Sequence, residues 1–356
     1  MSADAPRLVF IDALKAFASQ LVVLHHLAFY GPMSDRAQEL IPGLITWLYD
    51  DARMAVQTFL VIGGFLAAQA LTNQASRLNP TLWMLLWRRY LKLVLPYFVA
   101  LLCAILAAAF ARHLIQNEEI PAFPSVSQLL AHLFLLQGIL GFDGLSAGVW
   151  YVAIDFQLYA LLLILVCWRR GTRLAFSSGV LVVAIATFAS LFYFNRNEAL
   201  DNWACYFFGA YGLGALTYWG VAERKVSPWL LAAFLLAVAA LVVDYRVRIA
   251  LALLLAVLLS LARYFGFMAS WPKAKWIAWL GQISYSIFLV HYPVSLVVNA
   301  VFERFAPHAP LVQLGGLLLA WISSLAAGAL FYNYVECRSL LVLKKLHLSG
   351  STLGRA

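Results

Sequence analysis

The chain alternates long apolar runs with short polar ones. Ten runs, at 9–30, 54–72, 90–111, 148–167, 174–194, 203–220, 228–243, 247–265, 276–300 and 312–334, approach the roughly 20 residues that a helix needs to cross a bilayer. An eleventh, 127–140, is too short to cross and is expected to lie re-entrant or flat against the membrane. The pattern predicts an all-α fold: a polytopic transmembrane helix bundle of about ten spans. Residues 1–336 read as a single transmembrane domain and 337–356 as a short basic tail. No internal repeat, low-complexity tract or second soluble domain is visible, and the first run lacks an A-x-A-like cleavage site, so it is read as retained.

Composition removes the soluble classes. The 356 residues are 64% hydrophobic and 12% charged, with a mean hydropathy of +0.84. The 12 Trp, 16 Tyr and 24 Phe suit interfacial belts and the lining of polar cavities. A net charge of +9 invites a nucleic-acid partner, but its distribution argues for topology instead. Eighteen of the 25 basic residues fall on the N-terminal side of the membrane, among them Arg77, Arg169, Arg170, Arg173, Lys344, Lys345 and Arg355. The other seven are Arg36, Arg53, Arg112, Arg196, Arg246, Arg248 and Arg304. By the positive-inside rule both termini are expected in the cytoplasm, with no nucleic acid as partner; making 127–140 a full span would spoil the pattern. Cys103, Cys167, Cys205 and Cys337 have no metal-ligand spacing and read as reduced packing residues; no metal site is expected.

Polar residues inside the runs matter more, because a charge in hydrocarbon needs a partner or a water-filled cavity. Lys15 and His26 are eleven residues apart, about three helical turns, so they share one face at roughly 16 Å along the axis. His25 points about 100° away. An imidazole with its ordinary pKa near ~6.5 suits a general base for a hydroxyl, although a hydrogen-bonded structural His also fits the position. Asp155, amid Trp150, Tyr151, Gln157 and Tyr159, is either the partner that orients a catalytic His or half of a structural pair between helices. In the ninth run Ser284, Tyr285, Ser286 and His291 precede Pro293, which fits a cavity wall or hydroxyl groups gluing helices together. The basic group Arg88, Arg89 and Lys92 suits the phosphates of a nucleotide-like donor, and suits equally an anchor against anionic lipid heads. Gly63-Gly64 permits close approach of a helix or ligand.

These residues together resemble the acyltransferase-3 family of integral-membrane O-acyltransferases. Lys15 to His26 matches the family's basic residue, ten residues, then His. Phe59 to Leu66 looks like its FFxxSGFL stretch, Arg88-Arg89-Tyr90-Leu91-Lys92 with Pro96 like its basic inner motif, and Trp150 to Tyr159 like its WSLSVEEQFY segment. Leu280-Gly281 to His291-Tyr292-Pro293 is similar to LGxxSYxxYLxHxP, and Tyr334-Val335-Glu336 to its terminal Glu motif. The departures are Lys15 for Arg, Gln57 for an acidic residue, Gly63 for Ser, and Asp155-Phe156 for a Glu pair.

The resemblance implies transfer of an acyl group, most simply acetyl, from acyl-coenzyme A as co-substrate (no tightly bound cofactor) to a hydroxyl of a sugar, exported glycan or secondary metabolite. His26 and Asp155 are then catalytic. Lys15, Arg88, Arg89 and Lys92 bind acyl-coenzyme A. Trp150, Tyr151, Gln157, Tyr159, Tyr285 and His291 bind the acceptor, free or lipid-linked. The expected setting is the bacterial inner membrane, with membrane lipids as the other partners and the oligomeric state open. Two rivals use the same residues: a proton-coupled transporter or exporter, and a catalytically inactive relative.

Overall fold

The computed structural model describes residues 7–75, 81–118, 120–167 and 175–350. Arg77, Arg169, Arg170, Arg173 and Arg355 of the charge pattern lie outside these residues. Each of the ten runs is a helix: α1 (Val9–Phe29), α4 (Val56–Ala75), α5 (Leu82–Leu114), α7 (Val149–Cys167), α8 (Ala175–Phe192), α9 (Ala204–Gly220), α10 (Pro228–Val243), α11 (Val247–Tyr264), α12 (Lys275–Phe305) and α13 (Pro310–Phe331). Between them lie α2 (Pro32–Ala37), α3 (Pro42–Asp50) and α6 (Val126–Leu133). The tail is helical too, as α14 (Cys337–Gly350), after a π-helical turn at Tyr332–Glu336. Among the described residues the only strands are Val221–Ala222 and Lys225–Val226, paired antiparallel with Val221 opposite Val226.

Seven of these helices are long and apolar enough to cross a membrane, and α10 is apolar but shorter, at 16 residues. The fold is all-α and the protein is a multi-pass membrane protein. The short run at 127–140 gives only the eight residues of α6, whose first turn is capped by Ser125 Oγ accepting from the Gln128 N–H at 3.1 Å. The chief difference from the sequence pattern is α5, which begins at Leu82 and runs 33 residues. Its early turns are rich in Leu, Met and Arg, good helix formers, so the basic group sits inside the helix and not in a loop before it. Pro96 lies within α5 without ending it. A proline removes one backbone bond, and side chains in membrane proteins often re-satisfy the groups it frees. Here the Tyr285 hydroxyl donates to the Leu93 carbonyl at 3.2 Å, next in sequence to Lys92, whose carbonyl is the one an N–H at position 96 would bond.

The chain divides into two compact units, and α1 gives its first half to one and its second half to the other. Unit 1 draws on Met1–Ala18, Met54–Leu86 and Ile154–Gln282. Its centre is α9, buried at every position from Tyr206 to Thr217 and packed by α4, α8, α10 and α11. Gly64 of α4 lies on the Tyr211 carbonyl and Gly214 of α9 on the Val61 carbonyl, so a Cβ at either would overlap backbone. This reciprocal pair lets two backbones touch, as small residues do between membrane helices. Gly281 of α12 lies in the same way on the backbone of Asp12.

Unit 2 draws on Ser19–Arg53, Trp87–Ala153 and Ile283–Ala356. Ala107, Ala108 and Ala111 of α5 pack with Tyr292, Leu296 and Ala300 of α12. The end of α1 is fixed by Gly31, at φ 97°, and by Asn299 Nδ2 donating to the Tyr30 carbonyl at 3.1 Å. A positive φ favours glycine, and a Cβ there would also strike Asn299.

Candidate active site

In unit 2 the structure joins two histidines that lie 265 residues apart in sequence. His26 Nδ1 and His291 Nε2 are 2.9 Å apart. Their rings stack with centroids 4.9 Å apart and planes 23° apart. The α-helical period explains the selection on α1: His26 faces α12, while His25 turns away and places its Nδ1 3.0 Å from the Leu48 carbonyl. His291 is 1% exposed and its Nδ1 lies 3.2 Å from the Ile287 carbonyl, one turn earlier on α12. His26 is less buried than either neighbour.

Aromatic rings continue from the pair in two directions. Tyr30 stacks on His26 and meets Tyr292 edge-on. On the other side Phe288 contacts His291, Tyr151 meets Phe288 edge-on at 5.4 Å, and Trp150 meets Tyr151. Three of the expected acceptor residues, Trp150, Tyr151 and His291, are therefore linked ring to ring with His26. Of the three, Trp150 is exposed at 38%. An apolar cleft of about 810 Å³ between α5, α12 and α13 is lined by Leu106, Phe110, Val290, Val294, Val297 and Phe331 among others.

Other expected site residues have structural duties. Gln157 donates to the Asn202 carbonyl at 3.3 Å and accepts from the Ala204 N–H at 3.1 Å, so its amide caps the start of α9. Tyr285 serves Leu93 of α5, as described above. Tyr159 is 6% exposed. Asp155 is 5% exposed and sits in unit 1, its Oδ1 3.6 Å from where a Gly63 Cβ would stand, with the Tyr211 ring on the same spot. The nitrogen of His26 that a triad carboxylate would hold is already bonded to His291.

The other end of α1 belongs to unit 1. Lys15 Nζ lies 3.1 Å from Asp12 Oδ1, and Arg7 Nε lies 2.6 Å from Asp12 Oδ2. Asp12, 8% exposed, is thus the counter-ion of Lys15. Two cations on one carboxylate leave a net positive charge. In unit 2, Arg88 and Arg89 are half-buried on α5 and Lys92 is exposed.

Two further polar links are present. Ser286 Oγ, wholly buried, donates to Glu336 Oε2 at 2.6 Å. His132 Nδ1–H donates to the Gln128 carbonyl at 2.8 Å, and the Leu145 N–H donates to His132 Nε2 at 3.2 Å. Burial lowers the His132 pKa below its usual value, against the raising effect of the Gln128 bond. Among the described residues no three His, Cys, Asp or Glu side chains form a group able to hold a metal ion.

A multi-pass helical membrane protein with a histidine pair set among aromatic rings is the class that fold and site define. Residues 8–331 match the family model described as an acyltransferase domain, Acyl_transf_3, over most of the 356-residue chain. The chain belongs to the acyltransferase-3 family and is an acyltransferase. Neither the search of curated proteins nor that of solved structures gave a match.

Proposed function

We propose that the protein moves an acetyl group from acetyl-coenzyme A to a sugar hydroxyl on a glycan or secondary metabolite bound for export, in the bacterial inner membrane with both termini in the cytoplasm. The observation that carries this reading is the His26 ring, held by a hydrogen bond among aromatic side chains and less buried than His25 and His291. His26 is the general base. It takes the proton of the acceptor hydroxyl as that oxygen attacks the thioester carbonyl. The C–S bond then breaks, and the imidazolium returns the proton to the leaving thiolate, giving an ester and free coenzyme A. Trp150 and Tyr151 offer rings for the sugar, and the apolar cleft suits the hydrocarbon chain of a lipid-linked acceptor. Lys15, with the net positive charge it shares with Arg7 and Asp12, and the group Arg88, Arg89 and Lys92 bind the donor phosphates. Asp155 is a further buried carboxylate to be tested by substitution.

The test uses purified protein in detergent with radiolabelled acetyl-coenzyme A, reading binding and slow hydrolysis. His26→Ala is expected to abolish hydrolysis while keeping binding, and Lys15→Ala to weaken binding. Full hydrolysis in His26→Ala would overturn the mechanism. A wild-type protein that neither binds nor hydrolyses acyl-coenzyme A of any chain length would return the transport and inactive-relative readings.

A further inference from the structure

We infer that His291 is the positioning residue of His26: it selects the His26 tautomer whose Nε2 is bare, and so does the work that a carboxylate does in a triad. The inference rests on the general-base reading of His26. It follows from the donor and acceptor capacity of each ring atom. The Ile287 carbonyl beside His291 Nδ1 can only accept, so Nδ1 carries a hydrogen. A neutral imidazole has one N–H, so His291 Nε2 is an acceptor. The doubly protonated alternative would place a cation at 1% exposure, where the ring's hydrogen-bond and ring partners among the described residues are His26, the Ile287 carbonyl and Phe288, none of them a carboxylate. An unpaired buried cation of that kind is costly. The hydrogen in the 2.9 Å contact therefore sits on His26 Nδ1, which donates to His291. A hydrogen bond at one ring nitrogen sets the state of the other, so His26 Nε2 keeps its lone pair for the acceptor proton.

This arrangement also explains the aromatic stack. A ring held at one nitrogen still turns about that bond, and the tilt of 23° against His291, with Tyr30 stacked on His26, limits the rotation. The positioning residue differs from an acceptor-binding one in what its removal does: it should lower kcat and leave KM alone.

The experiment compares His291→Leu, which has no acceptor, with His291→Gln, whose side-chain carbonyl oxygen can take the place of Nε2. His291→Leu is expected to lower kcat about 10²-fold with KM for donor and acceptor unchanged, within the 10²–10⁴ range of general-base effects. His291→Gln is expected to recover most of that loss. The tautomer is read directly on protein labelled with ¹⁵N-histidine: wild type shows His26 with a protonated Nδ1, and His291→Leu shows a mixture or the reverse. Wild-type kcat in His291→Leu beside a dead His26→Ala would overturn the positioning role alone. Activity retained in His26→Ala would overturn the general-base reading, and the nitrogen spectra would then decide the tautomer by themselves. If His291→Leu fails to fold, wild-type kcat in His291→Gln together with a His26 protonated at Nε2 refutes the inference.

Discussion

The Ser286–Glu336 bond offers a measurement whose size follows from the structure. Ser286 is fully buried on α12 and its hydroxyl donates at 2.6 Å to a half-buried carboxylate in the turn after α13. Hydrogen bonds to charged groups contribute about 1.5–3 kcal/mol net. In Ser286→Ala the carboxylate loses one donor but is only half-buried, so the loss should fall at the low end, about 1.5 kcal/mol. Glu336→Ala strands a buried hydroxyl and should cost more. Glu336→Gln keeps a carbonyl acceptor and should keep roughly half the bond, because charge about doubles its strength. A double-mutant cycle of Ser286→Ala with Glu336→Ala, followed by unfolding in mixed micelles, should give a coupling of about 1–2 kcal/mol. A coupling below about 0.5 kcal/mol, the level at which distant sites add, would refute the reasoning. Neither variant should change KM for the donor, since neither residue is among the expected donor ligands.

Two other expectations come from the same kind of accounting. His132 has a lowered pKa when folded, so the folded protein favours the neutral ring; the stability it contributes is complete above the unfolded value near ~6.5 and is lost as pH falls through the folded value. Protection against hydrogen exchange across residues 126–145, corrected for the intrinsic rate, should therefore fall in wild type as pH drops below about 6.5, and a segment equally protected on both sides of that pH would count against the clasp. Asp12 holds two cations, so Asp12→Asn should destabilise by about 1–2 kcal/mol, a reduced figure because Arg7 is half-exposed, whereas Lys15→Met leaves Arg7 in place and should cost less than about 1 kcal/mol. Equal losses in unfolding experiments would show that the two cations do not share the carboxylate.

Helices were the legible part of this chain. The length of an apolar run is a one-dimensional property, so ten runs gave ten helices with ends off by a few residues. The exception was α5, where basic residues ended the apolar run but not the helix, since arginine propagates a helix as well as leucine does. The site was half legible. Helical period chose His26 over His25, and chemistry demanded a partner for Lys15, but the sequence alone did not choose among partners. Asp12 stands three residues away, within reach on a helix surface. The pairing of His291 with His26 across 265 residues is set by how α1 packs on α12 and leaves no local trace. Nothing in the residues around Gln157 announces that its amide closes a helix end.

On the proposed mechanism the histidine pair has an energetic consequence. No carboxylate is among the hydrogen-bond and ring partners of His291 that the described residues provide, so the imidazolium formed at His26 would discharge onto the departing thiolate in the same turnover. The proton that enters with the alcohol would leave with the thiol, and none would have to be drawn from or released to either aqueous compartment through the pair. An enzyme working in this way would leave the acyl thioester as the sole drive for the transfer, and the proton-motive force as a bystander.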